Sequence, residues 1–298
     1  MNPRPPDCES ILDPKPINLS IADTNFDYAD FKSWLEKRYS KRYASSIQYY
    51  NKRYRHLFNG ALTEIESFSK AKKRMVLVSL IALSKYLGVY EAFRQKMRNF
   101  GVKWGRRNNL DSFRRIWNND AADISEWLAQ CIDRLDRAYS TFMKFCSISG
   151  LRKGEAINAF NLILKLNSQG NLEEYYNSKL ETLEHYRFPE IFLRRNKNVF
   201  FSFIPKTFLK AEILKHGQRI SNTSLRRRFH DCHLKCRLQD LRHYHATYLI
   251  KHGLIQQEAD LLQGRINESI FMQHYFSPSI EELRTRTLSA IRQMMPKL

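Results

Sequence analysis

Several features that define other protein classes are missing from this sequence. Its five cysteines are an odd and scattered set, which does not suit a disulfide framework and favours a reducing compartment. They are Cys8, Cys131, Cys146, Cys232 and Cys236. There is no run of about 18 uncharged apolar residues and no signal-peptide pattern near Met1, so we expect a soluble intracellular protein outside the membrane.

The sequence also lacks a convincing metal motif and an internal repeat. The stretch HDCHLKC, residues 230 to 236, has two cysteines and two histidines but no second matching pair at zinc-finger spacing. We therefore interpret these as reduced surface residues and expect no bound metal.

Negative charge is scarce as well, and this scarcity is informative. Fifty Lys and Arg stand against thirty Asp and Glu, giving a formal net charge of +20 that is spread along the whole chain. Such a balance favours a polyanion as partner. With 43% hydrophobic and 13% aromatic residues, the 298-residue chain can bury a core in each of two domains.

Three segments follow from the patterning. Residues 1–25 carry five prolines and little periodicity, as in a mobile arm. From Phe26, apolar residues recur at helical spacing, with further helices predicted at about 73–87 and 91–99. The stretch GVKWGRRNNL, residues 101 to 110, has the composition of a linker. We predict a helical domain over 26–104 and a second domain over 105–298.

The second domain is expected to be mainly helical with a small β element. Helical stretches are predicted at about 111–117, 122–146, 153–165, 206–216 and 238–264. Between them, residues 188–205 have two runs rich in β-branched and aromatic residues around a basic turn, which indicates a hairpin. The predicted fold class is therefore mainly α with a small β-sheet or hairpin.

Several short motifs in the second domain bring basic residues and a tyrosine into a fixed order. SGLRKGE contains Arg152 and Glu155, QDLRH contains Arg242, and LLQGR contains Arg265 ten residues before Tyr275. With the basic hairpin, this order resembles the tyrosine recombinase, or phage integrase, family from about residue 26 to the end. Gln239 and Arg265 stand where most members have histidine, and in this respect the chain is similar to archaeal fusellovirus-type virus and plasmid integrases.

The resemblance implies a fold and a set of site residues. The fold would be an N-terminal helical core-binding, SAM-like domain followed by the recombinase catalytic domain. The implied catalytic residues are Arg152, Lys197, Arg242, Arg265 and Tyr275. Supporting roles would fall to Glu155, Gln239 and His243, whereas His245 is interpreted as an ordinary helix-face residue.

The chemistry explains why these residue types are needed together. A tyrosine that attacks phosphorus conserves the phosphodiester energy in a 3′-phosphotyrosine link, so no cofactor is required. Arginines can meet the charge on the non-bridging oxygens because their planar fork stays charged. Lys197 would protonate the leaving 5′-oxygen, with Arg194 and Arg195 as rivals for contacts in the same hairpin. Gln239 can donate to a phosphate oxygen but cannot shuttle a proton.

The expected partner is a double-stranded DNA attachment site, bound as a homotetramer on paired sites, in the cytoplasm or nucleoid. A solvated face is the alternative reading of the basic helices, although their excess of positive charge favours contact with the DNA backbone. The predicted DNA-binding residues are Lys52, Arg53, Arg55, Arg106, Arg107, Arg194 and Arg195.

Two further questions stay open at this stage. The expected function is site-specific recombination that integrates or excises a mobile element, and the alternatives are a weak or inactive DNA-binding relative and a type IB topoisomerase-like activity. The tail, residues 277–295, has one broad apolar face. It either packs on its own domain or docks on a neighbouring protomer.

Overall fold

The computed structural model of the protein describes residues 26–102, 110, 113, 117, 121–193, 198–265 and 275–295. The chain divides into two compact units, Met1–Arg115 and Ile116–Leu298. Each unit has a hydrophobic core of its own.

The first unit is built from helices in the part that the structure describes. They are α1 (Tyr28–Glu36), α2 (Lys41–Tyr54), α3 (His56–Asn59), α4 (Lys70–Tyr86) and α5 (Tyr90–Asn99), with a 3-10 turn at Thr63–Ser67. Asp27 caps α1, because its carboxylate accepts from the backbone N–H groups of Ala29 and Asp30. The predicted helices near 73–87 and 91–99 are observed as α4 and α5.

The core of this unit lies between α2 and α4. Ile47 of α2 and Leu80 and Leu83 of α4 are fully buried, as the 3.6-residue spacing of the apolar residues requires. Phe58 stacks on Phe93 with ring centroids 4.9 Å apart, which fixes α5 against the rest of the unit. The basic residues of α2 are left on the opposite, exposed face.

The second unit surrounds a nearly buried central helix, α7 (Arg137–Ser149). Its other helices are α6 (Ala121–Arg134), α8 (Lys153–Ser168), α9 (Pro189–Phe192), α10 (Lys206–Phe208), α11 (Leu214–His216), α12 (Asn222–Asp231), α13 (Leu238–Lys251), α14 (Gln256–Leu262) and α15 (Ile280–Met294). Helix α7 contacts α6 on one side and α13 on another. The fold is thus mainly helical, as predicted.

The prediction of one continuous helix over 122–146 was wrong. Helix α6 ends at Arg134 and α7 begins at Arg137. The carboxylate of Asp136 accepts from the backbone N–H of Tyr139 at 3.2 Å, and this cap starts a new helix. Buried Leu135 joins the two helices, so the apolar periodicity continues across a break that it cannot reveal.

A small antiparallel sheet is present, and among the described residues only the second run of the predicted hairpin contributes a strand to it, β3. Strand β2 (Thr182–Leu183) lies between β1 (Tyr176–Asn177) and β3 (Ser202–Phe203). The first half of the predicted 188–205 hairpin is instead helix α9, which has proline in its first turn, where the missing N–H is tolerated. Strand β3 therefore pairs with an earlier segment, and residues 194–197 lie outside the described residues.

The remaining helices differ in part from the predictions. The segment 206–216 is interrupted by a π-helical turn at Leu209–Ile213. The helical segment predicted over 238–264, with an interruption at Gly253, consists of α13 and α14, and Gly253 lies between them with a φ of 99°. Helix α12 was not predicted, since its charged sequence NTSLRRRFHD has few apolar positions. The helix predicted over 111–117 falls mostly outside the described residues.

The C-terminal helix α15 packs on its own unit, which is the first of the two alternatives for the tail. Leu283, Leu288 and Ile291 are buried in the unit's core. Polar contacts add to this, because Arg286 pairs with the buried carboxylate of Glu258 on α14 at 3.0 Å. Among the helices that the structure describes, none is long and apolar enough to cross a membrane.

Candidate functional site

Arg152 sits at the start of α8, in extended backbone conformation. The buried carboxylate of Glu155 accepts from the backbone N–H of Arg152 at 3.0 Å and from the guanidinium Nη1 of Arg152 at 2.8 Å. The i, i+3 spacing in SGLRKGE produces both contacts, because residues three apart lie one helical turn from each other. The Arg152 side chain stays 25% exposed, so its guanidinium is fixed yet reachable.

Arg242 lies at the centre of the site and is only 1% exposed. It projects from α13, and its Nη1 donates to the Gly150 carbonyl at 2.9 Å while its Nη2 donates to the Gln263 carbonyl at 2.6 Å. The side-chain amide of Gln263 donates back to the Arg242 carbonyl at 2.8 Å. These hydrogen bonds join the end of α7, the helix α13 and the turn after α14.

The surroundings of Arg242 disfavour its positive charge. Burial lowers the pKa of the Arg242 guanidinium, and the charge of Arg152 lowers it further, with a smaller effect from Arg265. The carboxylates of Glu155 and Asp260 act in the opposite direction. The guanidinium groups of Arg152 and Arg265 therefore both repel that of Arg242, and a bound anion would relieve this repulsion.

Arg265 completes the group from the turn that follows α14. Its backbone N–H donates to the Asp260 carbonyl at 2.8 Å, and its Nη1 lies 3.4 Å from the Asp260 carboxylate. The preceding Gly264 has a φ of 63°, and a Cβ there would be 1.9 Å from the carbonyl oxygen of Asn198. Glycine is required because this backbone approach leaves no room for a side chain.

Asn198 connects the arginines to the segment that carries the predicted acid. Its carbonyl lies 3.5 Å from Nη1 of Arg152, at the limit of a hydrogen bond, and it also packs on Gly264. Lys197, the preceding residue in the chain, lies outside the described residues, as do Arg194 and Arg195. The described chain thus resumes within contact distance of Arg152.

The two histidines of the arginine helix occupy different environments. His243, predicted to support the site, is exposed. His245 is buried three residues from Arg242, and a Cβ on Gly150 would be 2.2 Å from its Nδ1. Burial, together with the charge of Arg242, lowers the pKa of His245 to about 4 and keeps its ring neutral. His245 therefore supports the Gly150 turn whose carbonyl holds Arg242.

Two further predicted site residues, Gln239 and Tyr275, are among the described residues. Gln239 is exposed on α13, one turn before Arg242. Tyr275 is 72% exposed, which suits a side chain that must meet a large substrate. Residues 266–274, which separate it from Arg265, lie outside the described residues.

Three of the predicted DNA-binding residues, Lys52, Arg53 and Arg55, lie on or next to α2. Lys52 Nζ is 4.8 Å from the centre of the Tyr28 ring, and the Arg55 guanidinium is 4.5 Å from that of Phe26. Arg53 Nη1 donates to the hydroxyl of Tyr49 at 3.3 Å. Lys52 and Arg53 are exposed, whereas Arg106 and Arg107 lie outside the described residues.

Three residues of the site were not singled out in the sequence: Gln263, Asp260 and Asn198. Asp260 had a recoverable signal, since it lies one helical turn and one residue before Arg265. Asn198 and Gln263 each accept from an arginine through a backbone carbonyl, which leaves no trace in residue type, although Gln263 also donates through its side-chain amide. The cysteine and histidine tract at 230–236 forms no cluster able to hold a metal among the residues that the structure describes.

These features describe a cluster of three arginines on a mainly helical unit. The archaeal phage integrase family matches residues 118–281, which is more than half of the chain and includes all five predicted catalytic residues. The chain therefore belongs to the archaeal phage integrase family. This membership connects it with DNA integration, and thus with DNA processing and DNA binding. A search of curated proteins gave no match to the chain.

Proposed function

We propose that the protein is a site-specific tyrosine recombinase that cleaves and rejoins DNA through a 3′-phosphotyrosine intermediate. It would integrate or excise a mobile element of an archaeal virus or plasmid. The observation that carries this proposal is the convergence of Arg152, Arg242 and Arg265 in one cluster, although they lie far apart in the sequence. The family membership supports the same conclusion.

The arginine cluster suits the transition state of phosphoryl transfer. During attack, negative charge develops on the non-bridging oxygens, and donors that are already in place stabilise it without reorganising. Arg242 uses one donor on each terminal nitrogen for a protein carbonyl, and a guanidinium has five donors in all. The remaining donors, with those of Arg152 and Arg265, are available to a phosphate.

The covalent step is assigned to Tyr275. Its phenolic oxygen would form a bond to phosphorus as the bond to the 5′-oxygen breaks. The phenolic proton would pass to water or to the phosphate, and the leaving oxygen would take a proton from Lys197. Rejoining reverses these steps, so the phosphodiester energy is retained. The position of Asn198 against Arg152 supports this role for its neighbour Lys197.

The rest of the molecule would hold the DNA. The first unit offers the exposed basic face of α2, and the net charge of +20 favours a duplex as ligand. We propose that the two domains, over 26–104 and 105–298, grip the duplex together. Recombination needs two sites, and four protomers on paired sites would supply one tyrosine for each strand.

The decisive test is an SDS-resistant adduct between the purified full-length protein and duplex DNA from around its own gene. We expect the wild-type protein to form the adduct and Tyr275→Phe to bind the same DNA without forming it, since only the nucleophile is lost. Tyr244→Phe is a matched control, because this tyrosine lies within α13. An adduct that persists in Tyr275→Phe would assign the nucleophile elsewhere.

A second candidate is a DNA-binding relative that cuts slowly. The observation in its favour is the burial of Arg242, a residue that is 1% exposed and whose guanidinium already donates to two carbonyls. Specific binding without any adduct would support this candidate over the recombinase.

A further inference from the structure

The three arginines of the cluster are held in unequal ways. Arg152 has the buried carboxylate of Glu155 at 2.8 Å, and Arg242 has two carbonyls. Arg265 is 42% exposed, more than Arg152, and its guanidinium has the Asp260 carboxylate as its partner. A long, exposed side chain needs such a partner to hold one geometry, because its rotamers are otherwise free.

Asp260 holds Arg265 at two points. Its carbonyl accepts from the Arg265 backbone N–H at 2.8 Å, and its carboxylate Oδ1 lies 3.4 Å from Nη1 of the guanidinium. The second carboxylate oxygen, Oδ2, accepts from the side-chain amide of Gln256 at 3.3 Å. The carboxylate is 13% exposed, so α14 fixes its orientation before any ligand arrives.

The charges of the cluster also depend on Asp260. Its carboxylate raises the pKa of Arg242, in addition to its contact with Arg265. The three guanidinium groups and the two carboxylates of Glu155 and Asp260 sum to one positive charge. This charge would balance the single negative charge of a phosphodiester. Without Asp260, the cluster would carry a second uncompensated positive charge.

We propose that Asp260 is a positioning residue that orients the Arg265 guanidinium toward the scissile phosphate and limits the charge of the arginine cluster. This role rests on the proposed recombinase function. Arginine at position 265 has more rotatable bonds than a histidine ring, and Asp260 supplies the restraint that arginine needs there. Asp260 acts through Arg265 and does not contact the reacting atoms.

The test is a double-mutant cycle in the full-length protein, using the adduct-forming duplex and single-turnover kinetics. We expect Asp260→Asn to slow adduct formation about tenfold, because a misplaced donor stabilises the transition state less. The asparagine keeps the size of the side chain, and Asp260→Glu should recover most of the rate. In the Arg265→Ala background, Asp260→Asn should have no further effect. Asp231→Asn, which removes another arginine-paired carboxylate outside the cluster, is the matched control.

Binding provides a second measurement that does not require cleavage. Duplex affinity at fixed salt should be unchanged or up to about threefold tighter in Asp260→Asn, since a negative charge near the phosphate is removed. This gain should be smaller but still present with Arg265→Ala, because the carboxylate also acts on Arg242. Additive rate losses would overturn the positioning role, and a loss of affinity in Asp260→Asn would overturn the role in limiting the charge of the cluster.

The two proposals fail in different ways. If the wild-type protein forms no Tyr275-dependent adduct, the recombinase function is refuted, and the duplex affinity of Asp260→Asn still decides whether Asp260 limits the charge of the cluster. If the adduct forms and the cycle is additive, the recombinase stands and the role of Asp260 is overturned.

Discussion

Two basic residues of the first unit, Lys52 and Arg55, are held differently from Arg152 and Arg242 of the second. In the first unit, Lys52 and Arg55 lie over aromatic rings, and two guanidinium nitrogens of Arg55 are buried without a hydrogen-bond acceptor. In the second unit, Arg152 and Arg242 donate to carboxylate or carbonyl oxygens at 2.6 to 2.9 Å. An aromatic face attracts a cation over a broad range of positions, whereas a hydrogen bond fixes both distance and direction.

This difference matches what each unit is proposed to do. Contact with a DNA backbone depends mainly on charge and tolerates movement of the side chains. Stabilisation of a transition state depends on donors that are placed to within a fraction of an ångström. Changes of geometry at constant charge should therefore damage the second unit far more than the first.

The largest effect is expected from Arg242→Lys, which keeps the charge and removes the fork. A lysine cannot reach both the Gly150 and Gln263 carbonyls while still donating to phosphate. We expect adduct formation to fall about a hundredfold or more, equivalent to about 3 kcal/mol of transition-state stabilisation. DNA affinity should change only a few fold in a protein whose thermal melt shows that it is folded.

The matching substitution in the first unit, Arg53→Lys, should leave the rate within about twofold, since charge alone is needed there. Equal losses of rate in the two variants would contradict the distinction between the units.

An intermediate effect is expected from Gly150→Ala, which changes the turn whose carbonyl accepts from Arg242. Gly150 has a φ of 62°, and a Cβ there would be 2.2 Å from the buried His245 ring. We expect a loss of about 2 to 4 kcal/mol in the free energy of unfolding, measured by urea denaturation, from strain and overpacking.

Gly170→Ala separates the two causes of that loss. Gly170 has a φ of 77°, and nothing lies within 4 Å of a Cβ there. Its substitution should cost only about 1 kcal/mol, the backbone strain alone. Equal losses at both glycines would mean that the contact with His245 has no structural importance.

The smallest effect is expected from Arg53→Ala in the first unit. Removing one exposed cation should weaken duplex binding a few fold. It should also reduce the slope of log Kd against log salt concentration by about one. The rate of adduct formation at saturating DNA should stay unchanged. Fluorescence anisotropy over a salt series measures the slope, and a slope equal to that of the wild type would remove Arg53 from the DNA interface.

Much of the fold could be predicted from apolar spacing, and the errors have identifiable causes. Helices α4 and α5 were predicted because their buried residues repeat every 3.6 positions. The break before α7 was missed because it depends on a single cap at Asp136. The strand pairing was wrong because β3 joins Thr182–Leu183, a partner that residue preferences cannot specify.

The sequence by itself determined the kinds and order of the site residues, the excess of positive charge and the mainly helical fold. Those properties are written in residue type and spacing. Only the tertiary structure decided that Arg242 is buried, that Gly150 and Gln263 hold it through carbonyls, and that Asn198 approaches Gly264. These contacts join residues as many as 92 positions apart, and most pass through backbone atoms that every residue shares. Packing therefore had to place them before the site could be recognised as one structure.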